Sequence, residues 1–564
     1  MRPRVVFVLA FFTLGCVSWL RAAEDSPQFD RSAAIRKSFD EKLWQQVVEQ
    51  AQALPDGGAE VDYCYGVALA QLGRWDGART VLLRGRRLWP RDERFPIELG
   101  GVAFRQKRYA EAAGWLRRGM RLNPGDTYAA DFLATIYFLQ GNLEAALKYW
   151  NRIDKPRIGS VQVEPGLRVD RVLLDGAFAF APGGTLLLSD LLTTRARVRG
   201  LEIFPTFSFH LNARQDGEFD VAFAARERDG WGKSTLEALL STFRGIGYQT
   251  ICPEYFNVAG SAINITSLVR WDEQKRRLAA DVSGPLSGDP GYRYQAGLDV
   301  RDENWDLRRS FQGPAPVLGA LELRRSAVSG EVTGFRSGGW SWSTGGEFSH
   351  REYRNVSAGP GLPQEVLLTG YQLKNITQLN RDLWRVPDRR FESRARISSE
   401  AGKIWSAPAH TFERLQGSVA ARWLPRMSGD DYAIAQQFRA GKIFGRVPFD
   451  ELYMLGLERD NDVWMRAHIG TRGGRKGSAP LGRNYFLSNW EMDKNVYNGL
   501  LSIKLSPFLD IGKSTDSLAG LGSRGWLWDT GVQAKVRVLG VGFVVVYGKD
   551  LRSGNNAFYL MAGR

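Results

Sequence analysis

Three patterns of apolar and polar positions follow one another along the chain. Between residues 30 and 156 apolar side chains recur at helical spacing, and the helices themselves recur with a period of 34 residues. In that period Gly66, Gly100 and Ala134 fall in one column, and Ala70, Phe104 and Phe138 in the next. Trp75, Tyr109 and Leu143 then align, as do Ala78, Ala112 and Ala146, and finally Pro90 with Pro124. From 160 to 228 the spacing is mixed: an apolar stretch, a helical segment, then two alternating runs around Gln215-Asp216-Gly217-Glu218. From 249 to 564 the dominant pattern is strand-like alternation broken by Gly, Asn, Asp and Pro, as in Val532-Gln533-Ala534-Lys535-Val536-Arg537-Val538.

The first block predicts pairs of antiparallel helices stacked into a solenoid. Small residues let the helices of a pair approach, aromatic residues fill the gap to the next pair, and proline ends the second helix. In period and column order this block resembles the tetratricopeptide repeat. Phe39 to Pro55 reads as the second helix of a degenerate earlier repeat that caps the stack. The resemblance implies a concave groove for a peptide or partner protein. A plain spacer is the competing reading.

Composition narrows the setting. Met1 to Ala23 has Arg2 and Arg4, an apolar core from Val5 to Phe12 and small residues at Ala22-Ala23, and so reads as a secretory signal. No later run is apolar for the roughly 18 residues that a spanning helix needs. A membrane passage therefore has to be made by strands. The net charge of +15 is spread along strands and loops, which argues against a nucleic-acid patch. Beyond the signal, Cys64 and Cys252 fall in different predicted domains, so no disulfide is expected.

Catalytic chemistry is not expected. Two Gly-Lys-Ser-Thr runs, Gly232 to Thr235 and Gly512 to Thr515, lack the upstream glycine of a phosphate loop, and Gly520 to Gly525 has no helix after it. All three read as turns. His210, His350, His410 and His468 show no ligand spacing, and no nucleophile-base pair is evident, so neither metal nor cofactor is expected.

The middle block reads as strand, helix, helix, strand, strand. Ser189 is expected to cap a helix carrying Leu191, Leu192, Val198 and Leu201, with a hairpin from Phe207-Ser208-Phe209-His210-Leu211 to Phe219-Asp220-Val221-Ala222-Phe223. It resembles a POTRA domain, which implies a small periplasmic module that handles client chains by strand pairing.

The third block predicts a closed antiparallel barrel with an apolar outside and a polar lumen, because a sheet in hydrocarbon cannot leave an edge unpaired. Leu321-Glu322-Leu323-Arg324 and Trp340-Ser341-Trp342-Ser343 are expected to follow that rule, with Trp405, Trp423, Trp490, Trp526 and Trp528 near strand ends as interfacial belts. At roughly 20 residues per strand and connection the block accommodates sixteen strands, and twelve or fourteen with longer loops.

Within it, Phe508-Leu509-Asp510-Ile511-Gly512 and Trp464-Met465-Arg466-Ala467-His468 carry a more specific likeness. The block resembles the BamA/TamA-type superfamily of outer-membrane assembly and translocation barrels. That resemblance implies sixteen strands and a long loop folded back into the lumen, whose arginine meets the aspartate of an F/G-x-D-x-G motif. Phe508, Asp510 and Gly512 fill the second motif, and Arg466 is the arginine, with Arg472-Gly473 as an alternative. Asn489-Trp490-Glu491 resembles the strand after the loop. The residues around Arg466 lack the family's glycine and aromatic, and the ending Phe558 to Arg564 lacks its terminal aromatic. The resemblance further implies a periplasmic N-terminal part, client or accessory proteins as partners, outer-membrane lipid around the barrel, and insertion or translocation of proteins as the function. An exopolysaccharide export porin with a repeat scaffold is the alternative, with a lumen of one charge sign, and a passive porin is the third.

Overall fold

The computed structural model describes residues 27–563 except 233, 274, 309–315, 358–361, 363, 427–428, 459–460, 500, 518–520, 524 and 539–540. The expected signal, 1–23, lies outside them. The chain forms two compact units that divide between Ile136 and Tyr137.

The first unit is helical: α1 (Pro27–Asp40), α2 (Trp44–Gln52), α3 (Gly58–Gln71), α4 (Trp75–Leu88), α5 (Arg94–Arg105), α6 (Tyr109–Leu122) and most of α7 (Thr127–Leu139). The repeated columns have direct packing roles. A Cβ added to Gly66 would lie 2.5 Å from Leu82, and one on Gly100 2.8 Å from Leu116, so this column sets the closest helix approach within a pair. Ala78 and Ala112 are fully buried. Trp75 and Tyr109 open the second helix of their pairs, and Pro90 and Pro124 follow the ends of α4 and α6. The expected cap is larger than a single helix, since α1 ends at Asp40 and α2 begins at Trp44.

The second unit starts within α7 and takes in α8 (Leu143–Trp150), which carries the buried Ala146. Next come β1 (Ile158–Val163), α9 (Arg171–Ala177), α10 (Leu188–Gly200), β2 (Thr206–Ala213) and β3 (Phe219–Arg226). They make a sheet of order β1-β3-β2, with β1 parallel and β2 antiparallel to β3. Phe209 and Phe223, 5.1 Å apart, form its core with Phe204 and Phe180. Ser189 does not cap α10: it lies in the first turn, where its hydroxyl donates to Asp190 at 3.1 Å.

The chain then closes into a barrel. Its first position is filled by two short pieces, β4 (Thr250–Ile251) and β5 (Glu254–Tyr255). The wall continues through β6 (Asn264–Asp272), β7 (Lys275–Leu286), β8 (Asp289–Arg308), β9 (Val317–Ser337), β10 (Trp340–Ser357), β11 (Gly370–Val386), β12 (Phe391–Trp405), β13 (His410–Trp423) and β14 (Tyr432–Gly445). After a long connection, 446–483, it is completed by β15 (Asn484–Asn498), β16 (Leu501–Thr515), β17 (Leu527–Val538), β18 (Val541–Asp550) and β19 (Asn556–Gly563). Among the described residues this gives fourteen strands of eight residues or more, from β6 to β19, plus the position shared by β4 and β5. Before β4 the chain is helical, in α11 (Thr235–Phe243).

Three local expectations change. Gly512 to Thr515 belongs to β16 and is not a turn, while Ser234 and Thr235 open α11. Trp490 lies mid-strand in β15, whereas Trp405 and Trp423 do end β12 and β13. Leu321 and Leu323 point inward and are buried, and Glu322 and Arg324 point out. The alternation there is reversed because the long β8 and β9 enclose a filled lumen at this end, so apolar residues are needed inside.

The two barrel ends differ. Turns at one end carry the βααββ module, Glu202 pairing with Arg293 at 2.6 Å and Thr193 accepting from the Gly338 N–H at 3.1 Å, and at the same end Asn142, the cap of α8, donates to the Pro387 carbonyl at 2.9 Å. The 446–483 connection leaves from the opposite end.

Candidate functional site, a loop fixed inside the barrel

The connection 446–483 has its own apolar core: Phe449, Leu452, Tyr453, Met454, Leu455, Val463, Met465 and Leu481 are buried. Tyr453 and Met454 pair with Leu481 and Gly482 as a small ribbon. This core packs on Trp305, Leu307, Leu321 and Leu323 of the inner wall, so the loop fills the lumen at its own end of the barrel.

Arg466 and Asp510 meet inside the barrel. Asp510 is wholly buried and Arg466 nearly so. The guanidinium donates to both carboxylate oxygens, Nη2 to Oδ1 at 2.6 Å and Nε to Oδ2 at 2.9 Å, and the Arg466 backbone N–H adds a bond of 3.0 Å to Oδ2. Nη1 donates to Glu491 at 2.9 Å, and Asn489 donates to Asp510 at 2.8 Å. A planar fork on a carboxylate, with further acceptors satisfied, is the geometry in which a buried pair is tolerated.

The spacing of Phe508, Asp510 and Gly512 now has a physical reason. On a strand, residues two apart share a face, so all three point into the lumen. Phe508 lies under the guanidinium, 3.9 Å from the ring centroid to Cζ. Asp510 receives the fork. At Gly512 a Cβ would lie 2.6 Å from Met465 Sδ and 2.8 Å from Leu455, so glycine makes room for the loop. Two glycines the sequence reading passed over complete the slot, since a Cβ on Gly531 or Gly548 would meet the Phe508 ring at 2.8 or 3.3 Å. Arg472, the alternative arginine, sits exposed on a small hairpin, Thr471–Arg472 with Arg475–Lys476.

Three further ion clusters hold the loop, and sequence reasoning found none of them. Asp450 accepts from Arg351 at 2.6 Å and from Tyr353 at 2.8 Å; Glu451 accepts from Arg414 at 3.0 Å and lies 3.4 Å from Lys374. With Arg325 and the wall acids Glu347 and Glu400, this cluster balances four positive charges with four negative ones. Glu458 pairs with Lys476 at 3.2 Å and Arg270 at 3.6 Å, next to a Lys275–Glu303 pair of 2.7 Å. Finally His468 lies between two strand carboxylates, Nδ1 at 2.9 Å from Asp529 and Nε2 at 3.6 Å from Asp550. These three residues could surround a cation. Each ring nitrogen faces a different carboxylate.

On the module side of the loop lies a cavity of about 630 Å³. Arg394, Arg396, Arg422 and Arg439 line it together with Asp382, Glu392, Glu491 and Trp464.

Comparison with known proteins adds the following. A family model described as "Tetratricopeptide repeat" matches residues 66–127. No curated protein matches the chain. Among solved structures, BamA from Haemophilus ducreyi lacking POTRA domains 1-3 is similar at 12% identity and a TM-score of 0.42, covering 72% of this chain and 84% of that one. CdiB from Escherichia coli is similar at 15% identity and a TM-score of 0.48, over 72% and 75%. MamA is similar over 23% of this chain and 78% of its own, at 19% identity and a TM-score of 0.22. By its own topology the chain is a helical repeat region followed by a large antiparallel β-barrel domain.

Proposed function

We propose that this protein is an outer-membrane barrel that inserts or translocates polypeptides, with its repeats and βααββ module in the periplasm. The repeats gather a client or accessory protein through their groove. The module, whose strand order and two helices suit a POTRA-like role, relays the client by strand pairing. The barrel carries the final step. The observation that supports this reading is the Arg466–Asp510 contact at 2.6 Å, made by a loop folded into the lumen, with Phe508 and Gly512 on the same face.

The alternative, an exopolysaccharide exporter, asks for an open lumen of one charge sign. Here the loop fills one end, and the Asp450-Glu451 cluster is charge-balanced. No enzymatic role is proposed, and no cofactor enters the reading.

The test is genetic and proteomic. Arg466→Ala and Asp510→Ala are placed in the native host, and outer-membrane and surface polypeptides are quantified with exported polysaccharide. Loss of a defined set of polypeptides at unchanged polysaccharide is the expected result. Loss of polysaccharide alone would overturn the proposal in favour of the exporter. A large steady conductance of the wild-type barrel, with neither cargo affected in the variants, would leave a passive porin.

A further inference from the structure

Just before the first barrel position, which β4 and β5 fill, the chain is folded as a short helix whose apolar stripe is exposed among the described residues. Ser234 caps α11, its hydroxyl accepting from the Glu237 N–H at 3.2 Å, and the Ser-x-x-Glu spacing is that of a capping box. Leu236, Leu239, Leu240 and Phe243 follow at i, i+3, i+4 and i+7, which places them on one face. All four are exposed, by 40 to 60%, and no residue of the helix is buried. An exposed stripe of this kind marks an interaction surface.

The helix is tied to the first barrel position along its length. Gly230, just before it, bridges to Phe256, and near its end the Thr242 carbonyl accepts from the Cys252 N–H at 2.8 Å. Glu254 of β5 holds Ser241 at 3.2 Å and Arg244 by two bonds, at 2.7 and 2.8 Å. The polar side of the helix therefore faces the strand edge and its apolar side faces away. The β4 and β5 pieces pair with β6, Thr250 opposite Arg270 and Tyr255 opposite Ile265. On β6 and β7 the outward Ile265, Leu278 and Val282 are likewise exposed, by 38 to 47%. The stripe of α11 and these wall residues are alike apolar and exposed.

We propose that α11 is part of the barrel's lipid-facing wall, and that acyl chains cover Leu236, Leu239, Leu240 and Phe243 beside the first strand position. The physical reason lies in the backbone. In hydrocarbon a short, broken strand leaves edge N–H and C=O groups unmet, whereas a helix satisfies its own and can lend a terminal carbonyl to its neighbour. This rests on the proposed outer-membrane setting of the barrel, so the experiment separates the two.

With the native cysteines replaced, an environment-sensitive fluorophore is attached at Leu239→Cys, at Leu278→Cys on the outer wall and at Ala420→Cys beside the lumen cavity. Each protein is reconstituted in phosphatidylcholine vesicles containing doxyl-labelled acyl chains, with iodide as the aqueous quencher. The expected result is loss of most emission to doxyl lipid at 239 and 278, with position 420 unaffected. Quenching at 278 together with iodide access at 239 would place the helix in water and overturn the proposal. Shielding of 239 from both quenchers would mean a protein partner or second copy covers the stripe, and would overturn it too. No lipid quenching at 278 would overturn the membrane reading and this inference with it. Leu236→Cys repeats the measurement one turn earlier should the label at 239 prevent heat-modifiable folding.

Discussion

Removing Arg466 should cost the barrel more than removing Asp510, although the two form one pair. With Arg466→Ala the wholly buried Asp510 keeps only Asn489 and one backbone N–H, at 2.8 and 3.0 Å. A buried carboxylate stripped of its cation costs about 3–5 kcal/mol, and the cation–π contact with Phe508 adds roughly 0.5–2 kcal/mol. With Asp510→Ala, Arg466 still donates to Glu491 at 2.9 Å and to the Trp490 carbonyl at 3.2 Å. That variant should lose about 2–3 kcal/mol. Equilibrium urea unfolding of the vesicle-inserted protein, followed by tryptophan emission and electrophoretic heat-modifiability, measures both. The double variant Arg466→Met/Asp510→Leu should recover part of the loss, since apolar replacement of a buried pair removes its desolvation cost. Equal losses in the two single variants, or losses within about 0.5 kcal/mol of wild type, would refute the reasoning.

Gly512→Ala should displace the loop, because the new methyl meets Met465 and Leu455 closer than 3 Å; a loss of about 1–3 kcal/mol is expected, part of it restored by Met465→Ala in the same unfolding assay. Glu451→Gln should unbalance the four cations around it and expose the loop to protease added to the vesicles, with a cost of about 3–5 kcal/mol. Gly66→Val should melt the repeat helices at lower temperature by circular dichroism, since any Cβ there strikes Leu82. Burial pushes the Cys64 thiol up to about 12, so its thiolate is scarce at pH 8 and the folded protein should react with a thiol reagent there only once denatured. Prompt reaction of native Cys64 at that pH would contradict this placement.

Much of this was legible because it repeats or alternates. A 34-residue period leaves several aligned columns, and Phe508, Asp510 and Gly512 are readable together because a strand puts every second residue on one face. The remaining anchors leave no such trace. Asp450 and Arg351 stand 99 positions apart, and His468 and Asp529 stand 61 apart, with nothing local to connect them. Leu321 and Leu323 misled for a related reason: alternation gives two faces without saying which is inside. Helix α11 did carry a signal, the Ser234-x-x-Glu237 box followed by Leu239 and Leu240. The Gly-Lys-Ser-Thr string overlapping it drew attention to phosphate loops instead.

The wide spread of the loop's anchors bears on how the barrel comes to be shut. The loop lies late in the chain, yet Glu458, Asp450 and Glu451 reach Arg270, Arg351 and Lys374, which stand on strands made long before it. Other residues of the same loop reach Asp510, Asp529 and Asp550 on strands made after it. A segment that grips both the early and the late halves of the sheet works as a mandrel. Gathering the halves around it shortens the search by which the first and last strands find each other, so closure of the ring is bound to correct seating of the loop.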